Sequence, residues 1–331
     1  MKSAGKIDRT FLVAMAMTMI AIAITSAASD AWALSTPPLV WNGNSLTYDS
    51  GSAPAVAISG TVIVEVHEGA SGALWYHTGK IQENGKVTWA AAPAQYDNGY
   101  APSIAISGNT VVEVHQATTG VGALWYRTAT INTNGTVTWA AKGFEYDSGL
   151  APSVAVAGQT VIEVHQAGAG VVALWYHMAE IQMAGTVVWA AAGHQYDTGV
   201  APSVAVAGST VVEVHQSTTA VGPLFYRSAE IQANGTVIWA TGAFQCDTGL
   251  APAVAVSGPS VIEVHQATDV EGDLWYHTAG LQSNGTVTWA SAPVEFFTGY
   301  APRVAMAGPT VLEVGVFATG EGSLVSRAAA Y

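Results

Sequence analysis

The sequence holds one cysteine, Cys246, in 331 residues, so no disulfide can form within the chain and stability must come from packing. A chain of this length can bury an ample core. Charge is also scarce: charged residues make up 10% of the chain, and 10 basic side chains stand against 23 acidic ones, a net charge of −13. An acidic protein repels phosphate backbones, which excludes nucleic acid as an expected partner. Long apolar runs are missing except at Phe11 to Ile24, which follows Lys2, Lys6 and Arg9 and precedes Ala31-Trp32-Ala33. That order of charge, apolar core and small residues is a secretory signal peptide over residues 1–33, with cleavage expected after Ala33. The apolar core is short for a membrane span of about 20 residues. The mature chain, 34–331, is therefore expected to be secreted or periplasmic with no membrane span. No sustained helical period occurs outside the leader. Neither a Gly-x-Ser-x-Gly elbow nor a Ser/His/Asp order is present.

What the chain does have is one sentence written six times. Glu65, Glu113, Glu163, Glu213, Glu263 and Glu313 recur at an interval of 48 residues and then of 50, within stretches such as Val111-Val112-Glu113-Val114-His115-Gln116. A period of this size marks a repeat architecture. One unit carries four strand signals: Pro152 to Val156, Thr160 to Gln166, Leu174 to Ile181, and Thr186 to Trp189. Their aromatic and β-branched residues suit pleated surfaces. The Asn-Gly pairs at Asn134, Asn234 and Asn284 read as two-residue hairpin turns, although each is also a formal glycosylation sequon. Tyr-Asp-Ser/Thr-Gly reads as a turn as well. Cys246 replaces its Tyr in one unit and is read as a packing position rather than a nucleophile.

Four short antiparallel strands in a unit of this length form one propeller blade. The chain ends before a closing Thr-Val-Trp strand, and the mature chain opens on Leu39-Val40-Trp41, the piece that is missing. The expected fold is an all-β, six-bladed β-propeller over 34–331, with the N-terminal strand completing the last blade and leaving no open edge.

Residues two apart on a strand share a face, so Glu113 and His115 point one way and Val112 and Val114 the other. A carboxylate partly buried between blades needs partners. A basic candidate follows the Tyr of the next strand: His77, Arg127, His177, Arg227, His277 and Arg327. The alternation of His and Arg hints at an older two-blade duplication. The sixth unit keeps Glu313 and Arg327 but has Gly315 for the His, and Val325-Ser326 for the aromatic pair. What survives there reads as structural. What is lost reads as free to bind a ligand: His67, Trp75 and Tyr76; His115, Trp125 and Tyr126; His165, Trp175 and Tyr176; His215, Phe225 and Tyr226; His265, Trp275 and Tyr276. Aromatic walls with a few convergent polar groups suit sugars, and repeated weak sites would gain avidity on a glycan-coated surface. Glu-x-His could hold a divalent ion only with a third ligand, and none is identified, so no metal and no cofactor is expected.

The unit Gly-x-Ala-Pro-Ser-Val-Ala-Val, Thr-Val-Val-Glu-Val-His-Gln, Leu-Trp-Tyr, Asn-Gly-Thr-Val-Thr-Trp covers nearly all of 39–331. It resembles the repeats of β-propeller lectins of the tectonin-like and tachylectin-like groups, and the repeat tails of some secreted phospholipase-type proteins. The resemblance implies sugar pockets within or between blades. Glycosidase chemistry needs an asymmetric pair of carboxylates, whereas the prominent carboxylate here is the same in every unit. The expected function is thus an exported, lectin-like protein that binds glycans and has no catalytic activity. A protein-interaction or structural propeller is the alternative, and a hydrolase with one cryptic site the third reading.

Overall fold

The computed structural model describes residues 39–43, 45–183, 185–267, 272–317 and 322–330. The leader expected over 1–33 lies outside them. Among the described residues no helix is long and apolar enough to cross a membrane. Among the described residues the chain is mostly antiparallel strand, with one short 3-10 turn at Ala70–Gly72.

Strand pairing repeats around the molecule. In the third blade Leu150 to Ala157 pairs with Thr160–Gln166, which pairs with Val172–Ile181. The outer edge of that third strand is covered twice, by Val187–Trp189 at one end and by His194 to Gly199 at the other. The chain then runs straight on into the inner strand of the fourth blade, inside one continuous strand, His194–Ala207. The ladders fall into six such sheets. The last is completed from the N-terminus, where Val40 and Trp41 pair with Ala330 and Ala329, and Leu46 to Gly51 pairs with Ser326 to Gly322. This is a β-propeller closed by its own first strands.

The core lies between blades rather than within them. Val112 and Val114 of the second blade pack with Val154, Val161 and Ala179 of the third. Val111, on the opposite face, packs with Val64, Val66 and Leu74 of the first. Four further clusters repeat this arrangement, and the one joining Ile63 and Val56 to Leu312 and Val314 ties the first blade to the last. Each fully buried Val or Ile contributes about 1.5–3 kcal/mol, so a strand apolar on both faces is what two flanking blades require.

Two local expectations are corrected. The Asn-Gly connections are not two-residue turns. Gly135 N–H donates to Asn132 O, Asn132 N–H donates to Thr136 O, and only the glycine has positive φ, 84°. This is a longer loop with a glycine bulge, which Asn134 braces by accepting from the Thr136 amide and hydroxyl. Tyr-Asp-Ser/Thr-Gly is not a turn either. Tyr146 to Gly149 is strand, with a register shift between Glu145 and Asp147. Its Gly is needed for a close approach: a Cβ on Gly149 would lie 2.6 Å from the His165 ring.

The next residues are strained. Ala151 sits at φ 48° directly before a proline, and the five equivalent alanines lie at 45–50°. In five junctions its N–H donates to a side-chain oxygen of the preceding blade, Gln116 Oε1 at 2.7 Å in the case of Ala151. The bulge and the junction hold each other in place.

Ring closure can be checked at Trp41, which stacks on Phe296 with centroids 4.7 Å apart and meets Tyr276 edge-on. Trp41→Ala should cost about 3 kcal/mol in urea unfolding, the low end for loss of a packed Trp. A loss under about 0.5 kcal/mol, typical of a surface change, would mean that the N-terminal strand does not close the ring.

Candidate functional site: the clefts between blades

Glu65, Glu113, Glu163, Glu213, Glu263 and Glu313 are all fully buried. In five blades the His two residues on supplies the partner. His Nδ1 to Glu carboxylate distances are 3.1 Å for His67, 3.1 Å for His115, 3.0 Å for His165, 3.0 Å for His215 and 2.9 Å for His265. Burial pulls the His165 pKa down, but the Glu163 charge and hydrogen bond outweigh it and leave it raised. The shift has the same sign at His67, His115, His215 and His265. These five rings are 2–3% exposed, so they stand in the interior rather than open to solvent.

The basic residue of the third strand lies opposite the Glu in register, Glu113 facing Arg127 and Glu163 facing His177. Its side chain nevertheless chooses another partner, the Asp of the preceding blade's outer strand. Arg127 pairs with Asp97 at 2.8 Å, His177 with Asp147 at 2.9 Å, Arg227 with Asp197 at 3.1 Å, His277 with Asp247 at 3.2 Å and His77 with Asp49 at 3.4 Å. A second nitrogen donates to a carbonyl of the same blade: Arg127 Nε to Ala140 O at 2.9 Å, His177 Nε2 to Ala190 O at 2.7 Å. Both residue types thus serve the same two acceptors, which is the physical reason they can alternate. Burial lowers the His177 pKa, but the Asp147 and Ala190 hydrogen bonds prevail and raise it.

The last junction solves the problem differently. Phe297 stands where the Asp would be and Gly315 where the His would be. Arg327 turns onto Glu313, with its guanidinium 3.2 Å from the Phe297 ring centroid. Burial, offset by Arg327, still pushes the Glu313 pKa up to about 7.

Above this seam the blades part. Between blades 1 and 2 a cleft of about 700 Å³ is lined by Asp97, Asn98, His115, Trp125, Arg127 and Lys142, with Phe144 and Glu145 at its side. His115 and Trp125 are register partners on one face. The structure therefore brings together the His and the Trp of the predicted set. It does not bring the Tyr. Tyr126 points to the opposite face, where it meets Tyr146 of its own blade's outer strand and Trp189 of the next blade, and donates to Val187 O at 3.1 Å. Tyr76, Tyr176, Tyr226 and Tyr276 pack likewise on Trp139, Trp239, Trp289 and Trp41. Trp75, Trp125, Trp175, Phe225 and Trp275 are half-buried. Sequence reasoning missed Asp97, Arg127, Lys142 and Glu145 as cleft residues. The repeated Asp was the available signal.

In the junction of blades 4 and 5, Asp247, Glu263 and His265 bring one ligand atom each within 4.8 Å of one another. Asp247 is the third donor that Glu-x-His lacked in the sequence, so this trio could hold a divalent ion. The same atoms are also engaged with each other and with His277.

No protein-family model matches the chain, and neither does the sequence of any curated protein. Solved structures share its fold at low identity. Trypanosoma rangeli sialidase in complex with the inhibitor DANA has a TM-score of 0.58 and 9% identity over 88% of this chain, which spans 60% of the sialidase's length. Neuraminidase-like proteins of the little yellow-shouldered bat isolate from Guatemala and of the flat-faced bat isolate from Peru have TM-scores of 0.54 and 0.52 and identities of 11% and 10%. They are covered over 98% and 95% of their length by 88% and 90% of this chain. These similarities establish the β-propeller fold. They also overturn the expectation of no catalytic activity drawn from the repeated carboxylate, because sialidases are enzymes built on this architecture.

Two predictions follow from the seam. Arg127→His should cost under about 1 kcal/mol, while Arg127→Leu, which strands Asp97 and the Ala140 carbonyl, should cost about 2–3 kcal/mol; equal losses would remove the two-acceptor account. The raised folded pKa of the five paired His means that their stabilisation is complete below the unfolded value of about 6.5 and is lost as pH rises through the folded value. Buried Glu65 and Glu263, also raised, act in the same direction, whereas the lowered Asp147 and Asp247 lose their contribution only as pH falls through their folded values, below the ordinary Asp range. Thermal melts should therefore show a higher midpoint near about pH 6 than near about pH 9. A midpoint that climbs with pH across that range contradicts the paired-His assignment.

Proposed function

We propose that the protein binds carbohydrate in the clefts between its blades. The observation that carries this reading is the cleft of blades 1 and 2, where the half-buried Trp125 ring stands beside Asp97 and Arg127, each held in place by the other. A sugar offers C–H faces to such a ring and hydroxyls to such a carboxylate and guanidinium. Groups already fixed by their own pairing lose little freedom when a ligand arrives. Lys142 and Glu145 at the rim add polar contacts that differ from junction to junction. The sharing of the fold with sialidases and neuraminidase-like proteins supports carbohydrate as the ligand class, as does the resemblance of the repeat to propeller lectins. Five units keep the His and the Trp or Phe, so several modest sites could act together on a glycan-bearing surface. The N-terminal leader pattern supports export, and an exported chain should begin at Leu34 on N-terminal sequencing.

The test is calorimetry of residues 34–331 with sugars selected on a glycan array, alongside Trp125→Ala. The variant should retain its fold and lose one site from the binding stoichiometry, or about tenfold in affinity if that site dominates. Absence of binding to every glycan would instead favour a protein-interaction propeller.

A further inference from the structure

At the propeller axis the equivalent inner-strand positions of all six blades meet in one cavity, so a residue that departs from the repeat there faces the other five. The axial cavity, about 140 Å³, is lined by all six inner strands: position 55 and its equivalents and the Val or Ile that follows in each, with Ala-Pro pairs from three of them. That variable position reads Ala55, Ser103, Ser153, Ser203, Ala253 and Arg303 around the ring. Five are small and neutral. The sixth is a guanidinium.

The serines have a defined task. Ser103 Oγ accepts the Val154 N–H of the next blade at 3.1 Å, Ser153 accepts Val204 at 3.1 Å, and Ser203 accepts Val254 at 3.2 Å. Those amides face the axis because Val154 and Glu163 form a non-hydrogen-bonded pair, counted from the two-residue turn between Ala157 and Thr160. By the same register Val304, Val56 and Ile104 also aim an N–H toward the axis. The residues that precede them around the ring are Ala253, Arg303 and Ala55, none of which offers an acceptor. One half of the cavity therefore carries hydroxyl acceptors that satisfy its amides. The other half carries three amide donors and the Arg303 fork.

Arg303 makes one hydrogen bond among the described residues, from Nη1 to its neighbour Pro302 O at 2.9 Å, and no ion pair. Burial lowers its pKa from the usual Arg value, but a guanidinium stays charged at neutral pH. The residue lines the axial cavity. A charge half-buried on the axis, with no carboxylate among the residues lining the cavity, calls for a counter-charge, and its planar fork matches a carboxylate bidentately. The overall charge of −13 disfavours a multiply charged anion, and the Ala, Pro and Val walls suit a short alkyl group.

We propose that Arg303 and the axis-facing amides of Val304, Val56 and Ile104 form an anion site that binds the carboxylate of a small organic acid. This site is separate from the inter-blade clefts.

Thermal melts of the full mature chain in sodium acetate against sodium chloride, at equal ionic strength, test it, with acetate calorimetry alongside. Acetate should raise the wild-type midpoint in a dose-dependent way, as any ligand of the folded state does. Arg303→Ser should abolish the difference between the two salts. This variant should fold, because Ser is the native residue in three other blades and would supply the missing acceptor to Val56. Arg303→Lys, which keeps the charge but not the fork, should bind acetate about tenfold more weakly. An Arg303→Ser chain as responsive to acetate as the wild type overturns the proposal, and so does a wild-type chain that melts alike in both salts. Stabilisation by inorganic phosphate without any by acetate overturns the carboxylate assignment.

Discussion

A carboxylate fully buried on every blade sets the terms for the rest of this molecule. A glutamate removed from water costs several kcal/mol unless hydrogen bonds and a cation accompany it. In five blades the requirement is met by the His two residues on, and that choice propagates outward. The His ring needs room, so the facing strand must have a glycine, as at Gly149. The Asp beside that glycine then lies close to the next blade, where His or Arg answers it and at the same time caps a carbonyl. The Tyr beside the Asp stacks on the closing Trp, Tyr146 on Trp189 with centroids 4.1 Å apart. One buried charge thus accounts for most of the motif that recurs along the chain.

The same constraint explains where ligands can be received. Apolar packing seals the inner part of each junction, and the polar seam rises from it toward the surface. The cleft above opens onto side chains that are ordered for reasons of stability, and a ligand finds them already oriented. The axis is a different environment. Its walls are backbone and small residues, so a single Arg there has no local carboxylate to neutralise it.

The architecture was legible because its signals are periodic. The interval between glutamates, the strand composition and the match between the two chain ends each follow from a rule that holds along the whole sequence. The partners across the seam were less legible. Glu113 and Arg127 are register neighbours, which adjacent strands reveal, but Arg127 bonds to Asp97, 30 residues earlier on another blade, and nothing local announces that choice. Tyr-Asp-Ser-Gly has the composition of a turn and is held as strand by a bulge and by the neighbouring blade. Trp125 and Tyr126 are adjacent, so strand periodicity already sends them to opposite faces; grouping them in one site overlooked it. The absence of catalysis was inferred from symmetry, and a fold shared with sialidases does not permit that inference.

The sixth junction shows that the seam has two solutions, and this supplies the most direct test. Asp97→Phe and His115→Gly, singly and together, would copy into the second blade the residues that surround Arg327. If the buried Glu governs the seam, each single change strands a charge, while the pair frees Arg127 to turn onto Glu113. Urea unfolding of the four chains should then give a favourable coupling of about 1 kcal/mol or more. Additive losses would contradict the claim that the buried carboxylate organises the junction.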